Sequence, residues 1–428
     1  MHSRRSFLKA SATVAAGTTF APIRGSAEAK SPRHARESGE TRTSHSSLAP
    51  SPSDTNGLAD HALMRQLARR AVEAAQAAGA EYADARLTRF VGKTHVIHSS
   101  EELAVGVRAL VNGNWGFAAS PYWTPDEMAV LGRTAVSQAM ASRASKDPQE
   151  FLASSPVTGS WTMPLEVDPF SVTIEERNDF TDALNRFCVE YSHGIAKLDG
   201  DIRAVRKEQV LVTSEGTDCT QTTWKTIAEL QLLITWNGRQ LKMPFRKLDP
   251  AGRGWELLRD AQLRTQVPEL LEEGLRMMSL PGKPFDIGRY EVVVSAPLMA
   301  MLVSRTIGAA SELDRALGFE ANAGGTSYLG PKPLALLGTL RVASPIMTIT
   351  SDRDFPGGLA TVRWDDEGVI PDTASLVTNG MLSDYQTTRS TASFLAPWYL
   401  QQQRTTRSHG YAASESCLLY TSPSPRDS

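Results

Sequence analysis

Two apolar runs, Ala104–Val111 and Trp115–Ala119, flank the dipeptide Asn112-Gly113. Both turn residues tolerate the positive φ angles of a type I′ turn, whose twist matches that of the strands it joins. An antiparallel hairpin is therefore expected, with its register set by the two-residue loop. Its neighbours extend the unit. Leu63, Leu67, Ala71, Val72 and Ala75 recur at helical spacing ahead of Gly79, and Tyr82–Phe90 reads as a strand. Beyond the hairpin, Thr124-Pro125-Asp126-Glu127 opens a second helix: Thr124 caps, Pro125 suits the first turn, and Glu127 completes a capping box. Leu131, Ala135, Val136 and Ala139 carry its apolar stripe onward. Helix, strand, hairpin and helix predict an N-terminal α/β domain over residues 58–150.

Residues 151–285 read as a middle region of helices and strands. A helix spans about Thr173–Tyr191, paired strands cover Ile202–Thr213 and Thr222–Trp236, and one long helix covers Trp255–Met278 before Pro281-Gly282. Over residues 286–414, Tyr290–Ser295 is a short β run leading into a helix from Pro297 or Leu298. Thr339–Thr350, Gly358–Trp364, Val369–Thr378 and Met381–Thr387 then alternate with Gly, Pro, Asn and Asp, which predicts a meandering antiparallel sheet. The fold class is mixed α+β, an N-terminal α/β domain followed by a C-terminal domain rich in antiparallel sheet.

The ends of the chain read differently. Residues 3–9, Ser-Arg-Arg-Ser-Phe-Leu-Lys, resemble a twin-arginine export signal, and the mildly apolar stretch after them is too weak for a membrane anchor. Residues 1–29 are thus expected to be a signal peptide, which implies a periplasmic or exported location. Residues 30–57 hold Ser, Pro, Thr, Arg and Glu with almost no large apolar groups, so they read as a disordered linker. Residues 415–428 run Glu-Ser-Cys-Leu-Leu-Tyr-Thr-Ser-Pro-Ser-Pro-Arg-Asp-Ser and resemble a translated sequencing adapter, hence an expected artefactual tail. With 45 basic and 47 acidic side chains the net charge is −2, which argues against a nucleic-acid partner. No run approaches the roughly 18 apolar residues of a membrane span. Three cysteines are too few for a disulfide framework; Cys188 and Cys219 are open to a single bridge or to two buried thiols.

Several separate stretches, in order, resemble the TldD/PmbA family. Leu103–Ser120 is similar to its N-terminal hairpin. Glu312–Tyr328 is similar to the segment after its metal-binding helix. Pro356-Gly-Gly through Trp364-Asp-Asp-Glu-Gly-Val369, continued by Asn379-Gly-Met-Leu382, is similar to its C-terminal sheet. The resemblance implies a metallopeptidase-like fold. It also implies a His-Glu-x-x-x-His motif on the helix before residue 312, with two imidazoles and a C-terminal cysteine thiolate holding zinc and the glutamate acting as general base. Here those positions are Ser304, Arg305 and Ala309. A methyl group cannot ligate zinc, a neutral hydroxyl is a poor ligand, and a guanidinium neither accepts a proton nor tolerates a neighbouring cation. No metal ligand and no catalytic residue is therefore expected in this chain, and no zinc, although the family carries it.

The other histidines do not restore the site. His2, His34 and His45 belong to the signal and linker. His95 and His98 are spaced wrongly for one strand face, His193 follows a helix end where a cation suits the dipole, and His409 reads as a surface or loop residue. Cys417 lies in the suspect tail. Glu312, Asp314, Arg315 and Glu320 are candidate lining of a surviving cleft; the alternative is a surface ion pair between Glu312 and Arg315. Asn322-Ala-Gly-Gly-Thr-Ser327 is open to a ligand-cradling loop or an ordinary turn. By resemblance, the chain is a non-catalytic member that forms a homodimer or pairs with a zinc-bearing TldD-type subunit in peptide proteolysis. The alternatives are an active exported metallopeptidase with relocated ligands, or a periplasmic peptide-binding scaffold.

Overall fold

The computed structural model describes residues 57–94, 99–142, 151–282, 286–321, 325–330 and 332–412. The signal peptide, all of the linker but Gly57, His95, His98, Asn322–Gly324, Cys417 and the tail lie outside the described residues.

Helix α1 (His61–Ala77) is capped by Asp60, whose carboxylate accepts from the backbone of Ala62 and Leu63. Strands β1 (Tyr82–Thr94), β2 (Ser99–Val111) and β3 (Asn114–Ser120) follow, and helix α2 (Pro125–Ala141) starts at Thr124, which accepts from the Glu127 N–H at 3.2 Å. Asn112 and Gly113 both take positive φ, 50° and 74°, as the type I′ turn requires. Next come β4 (Thr158–Thr162), α3 (Ile174–Tyr191, with a complete Thr173/Glu176 capping box), β5 (Ala196–Thr213), β6 (Asp218–Trp236) and β7 (Arg239–Pro244). One sheet takes all seven strands in the order β3-β2-β1-β5-β6-β4, with β7 also on β6. Only β4–β6 is parallel. Because β1 pairs with β5 from Asp84↔Thr213 to Thr94↔Arg203, residues 58–150 and 151–285 share this sheet.

Strand periodicity sorts the side chains. In β1 and β2, Ala83, Ala85, Leu87, Val105, Val107 and Ala109 enter a core with Met64, Leu67 and Ala71 of α1 and Met128, Ala135 and Val136 of α2. A side chain such as Leu67, 2% exposed, contributes about 1.5–3 kcal/mol by leaving water. The two helices cross closely at Gly132, where an added Cβ would lie 2.4 Å from the Ala71 carbonyl oxygen. A second core packs α3 and the later helices against β5–β7 through Leu184, Ile202, Leu232, Ile234, Leu263 and Leu270.

Three expectations change. The single helix over Trp255–Met278 is two, α4 (Glu256–Asp260) and α5 (Leu263–Ser279). Between them Gln262 turns left-handed at φ 50°, and the Gln266 amide caps the Ala261 carbonyl at 2.7 Å. Tyr290–Ser295 joins no ladder among the described residues, and Val292 is 74% exposed; a β-prone run becomes a strand only where an edge accepts it. Helix α6 (Ala296–Val303) follows as expected, then a π turn (Ser304–Gly308), a 3₁₀ turn (Ala309–Ser311), α7 (Leu313–Ala316) and α8 (Pro333–Leu336). The C-terminal sheet is antiparallel but short: β8 (Ile349–Ser351), β9 (Ala374–Thr378) and β10 (Met381–Leu382). Gly358–Trp364 contributes no strand. Helix α9 (Ala396–Gln401) closes a third core with Leu313, Leu329, Tyr385 and Tyr399. No helix among the described residues is long and apolar enough to cross a membrane. Cys188 and Cys219 are buried and unbridged, with burial pushing their thiols up to about 11 and about 12.

Candidate functional site

The face of β1 and β2 turned away from α1 and α2 carries charge. Asp84, Arg86 and Arg108 alternate with the core residues and meet the segment Trp364–Glu367. Arg108 binds Asp84 at 2.6 Å and Glu367 at 3.2 Å. Arg86 reaches Asp366 at 3.4 Å, and the Gln209 amide donates to the same carboxylate at 2.8 Å. Burial alone would push the Asp366 carboxyl up, but Lys207, Arg86 and Gln209 hold it below the usual range. Asp365 instead accepts backbone N–H groups of Glu367, Val369 and Ala412. Burial and the adjacent Glu367 push it up to about 7. From sequence these three consecutive acids stood only in the stretch that resembles the family's C-terminal sheet, between two expected strands. No local pattern marks them for burial, yet all three are buried.

Beside this contact lies a cavity of about 640 Å³. Trp115, Phe117 and Gln138 form one wall; Glu312, Asp314, Phe319 and Glu320 form another; Arg353, Glu367 and Tyr411 lie between them. Of the four predicted cleft residues, three therefore line one cavity. Arg315 stands behind them, bridging Glu312 at 3.3 Å and Glu320 at 3.1 Å. The predicted i,i+3 ion pair and the cleft thus coexist. Burial raises the Glu312 carboxyl, against the pull of Arg315. Asp314 accepts from the Thr388 hydroxyl at 3.4 Å, and no ion pair engages it among the described residues. Burial, then the charges of Glu367 and Glu320, push it up to about 7.

Ser304, Arg305 and Ala309 do not line this cavity. Ser304 and Arg305 lie in the π turn and Ala309 directly follows it, its N–H bonding to the Ser304 carbonyl. An i→i+5 bond adds a residue to the turn, so positions 304 and 309 lie closer to one side of the backbone than they would on a regular helix. On a regular α-helix they would diverge by about 140°, at about 100° per residue. Side chains satisfy the carbonyls that the turn displaces. Gln386 donates to Gly308 at 2.7 Å, Ser311 to Gly308 at 2.9 Å, and Tyr328 to Thr306 at 3.0 Å. Gly308 has ordinary helical angles, and an added Cβ would meet nothing closer than 3.8 Å. The backbone suits two converging ligands, but a hydroxyl, a guanidinium and a methyl do not fit zinc. No group of three His, Cys, Asp or Glu side chains is placed to hold a metal among the described residues.

His409 is not a surface residue. It is 1% exposed, with Nδ1 2.5 Å from Asp372 and Nε2 3.4 Å from Asp384 and 3.1 Å from the Tyr399 hydroxyl. Burial opposes its charge, but the two carboxylates prevail and raise it to about 9. His193 ends α3 in a left-handed turn at φ 52°.

A family profile described as the PmbA/TldA metallopeptidase C-terminal domain matches residues 287–397. A metalloprotease of Methanocaldococcus jannaschii is 25% identical over 322 residues, covering 73% of this chain and 67% of that protein. A metalloprotease of Synechocystis is 26% identical over 307 residues, covering 69% and 60%. The chain thus spans about 60–67% of the length of these curated relatives. Among solved structures, a candidate modulator of DNA gyrase from Bacteroides thetaiotaomicron shares the fold with a TM-score of 0.56 at 16% identity, over 81% of this chain and 75% of that one. TldE of Thermococcus kodakarensis matches with a TM-score of 0.50 at 17% identity, over 82% and 73%. Fold and relatives define a metallopeptidase-like protein. Residues 287–397 match the family's C-terminal domain, and the chain as a whole is similar to TldD/PmbA proteins in sequence and fold.

Proposed function

We propose that this chain is a non-catalytic, exported member of the family that acts as the partner subunit of a zinc-bearing relative, holding peptide in the cavity beside Asp314. One observation carries the reading: a π turn suited to two ligands bears Ser304, Arg305 and Ala309 in their place. The likeness to the fold of TldE is consistent with a family of more than one kind of subunit. The twin-arginine-like Ser3–Lys9 supports export. A cavity with aromatic walls and a few convergent polar groups suits a peptide.

The test is elemental analysis of the purified protein with a peptide-cleavage assay, alone and with a histidine-bearing relative, with and without chelator. The expected result is no stoichiometric zinc and no cleavage alone, with co-purification and chelator-sensitive cleavage in the pair. Stoichiometric zinc and chelator-sensitive cleavage by the chain alone would establish an active enzyme with relocated ligands instead. The cavity also favours a second reading, a peptide-binding scaffold without a catalytic partner; peptide binding with no co-purifying relative distinguishes it.

A further inference from the structure

The charges around the cavity are not balanced evenly. Its guanidiniums are committed to the protein: Arg108 to Asp84 and Glu367, Arg86 to Asp366, and Arg353 to the carbonyls of Gly410 and Ala412 at 2.8 and 3.3 Å. An anionic ligand would have to compete with those acceptors. The carboxylates opposite are in surplus. Glu312 and Glu320 share the single cation of Arg315, and Asp314, between them in sequence, meets hydroxyl groups only. A carboxylate in a half-enclosed, largely apolar cavity gains most from a counter-ion that arrives with the ligand. A metal ion is not that counter-ion, since the acidic side chains are not gathered as ligands among the described residues. Phe319, partly exposed on the same wall, offers a ring face that attracts organic cations.

Resting on the peptide reading above, we propose that the cavity selects peptides through an organic cation, an ammonium or guanidinium group set against Asp314. The cation is carried either by a lysine or arginine side chain or by a free peptide N-terminus, and the carboxylate accepts its N–H groups. Glu312 and Glu320 add to the attraction without making an ion pair of their own with the ligand, because Arg315 already engages them.

The experiment uses fluorescence anisotropy on the whole chain with four dansyl-labelled heptapeptides. Three have blocked termini and a central lysine, norleucine or glutamate; the fourth has the norleucine centre and a free N-terminus. The lysine peptide or the free-amine peptide is expected to bind roughly tenfold or more tighter than the blocked norleucine peptide, as suits one charge-assisted hydrogen bond. Which of the two gains identifies the source of the cation. The glutamate peptide is expected to bind weakest, and Asp314→Asn is expected to erase the preference for the cationic peptide over the norleucine peptide. Should that variant fail to fold, the wild-type preference is compared at pH 8.5 and pH 5.5, where protonation of Asp314 is expected to weaken it. Equal binding of all four peptides overturns cation selection and leaves the peptide cavity standing. Binding of none overturns both.

Discussion

At the scale of single residues, Gly308 is the instructive position. Its angles are helical, and its missing Cβ has room, so the π turn does not depend on glycine there. Gly308→Ala is expected to raise stability by about 0.4–1 kcal/mol, because alanine restricts the unfolded chain at no native cost. Urea unfolding measures it, and a loss of stability would mean that the turn needs glycine after all. Asp314 and His409 carry the opposite lesson. From sequence Asp314 was a candidate cleft residue and His409 an ordinary surface or loop group, since a charged residue shows nothing of what will cover it. Asp314 is covered by residues from Phe319 to Thr388, and His409 lies between carboxylates 37 and 25 positions away. The motif positions Ser304, Arg305 and Ala309 were found only through the resemblance to the family, and their residue chemistry then spoke against zinc; the π turn supplies the local distortion that such a motif needs.

Elements were legible where the signal is local. The hairpin, α1, α2, α3 and the β5–β6 pair follow from period and capping, each read within its own stretch of chain. The elements that differ depend on distant partners. Tyr290–Ser295 has the composition of a strand but no edge to pair with among the described residues, and Gly358–Trp364 is held as a loop by contacts such as Gln221 to the Trp364 carbonyl at 2.9 Å. The break at Gln262 is local yet silent, for glutamine carries no turn signature. The α1–α2 crossing yields a prediction at this scale. Gly132→Ala would force its Cβ against the Ala71 carbonyl, so the helices must separate and stability is expected to fall by about 1–3 kcal/mol. Thermal unfolding of Gly132→Ala beside Gly308→Ala should give shifts of opposite sign. A neutral Gly132→Ala would mean that the two helices adjust freely.

For the whole molecule, the buried charges set how stability responds to pH. Asp314 and Asp365, raised to about 7, and His409, raised to about 9, hold their protons more tightly folded than unfolded. Their contributions are complete below the unfolded values and are lost as pH rises through about 7 and then about 9. Asp366, Asp384 and Glu208 are shifted down despite burial, by Lys207 and Arg86, by His409 and Arg404, and by His61, Arg206 and Arg89. Their contributions are lost as pH falls below the usual carboxylate range. Stability is expected to peak just above the usual carboxylate range, at about pH 4–5, and to decline from there toward pH 9 as first the two aspartates and then His409 lose their protons. Asp314 faces Glu312, Glu320 and Glu367, with Arg315 behind them, so Asp314→Asn should flatten the part of the decline near pH 7 and leave the later one. Calorimetric scans across that range decide it; a profile still rising from pH 6.5 to 9 would contradict the assigned shifts.

The π turn makes this chain a mould from which the casting is missing. Its carbonyls are braced by Gln386, Ser311 and Tyr328, none of which would be touched by rebuilding the three side chains it displays. In a variant carrying Ser304→His, Arg305→Glu and Ala309→His, two imidazoles would project from one side of an already shaped backbone, with a carboxylate in place of the opposing cation. Such a variant is expected to take up Zn²⁺ in titration calorimetry where the parent does not, and absence of heat would show that the turn alone cannot bring the rings together. Installing a metal centre is ordinarily a problem of bending a backbone to suit its ligands; in this protein that half of the problem arrives solved.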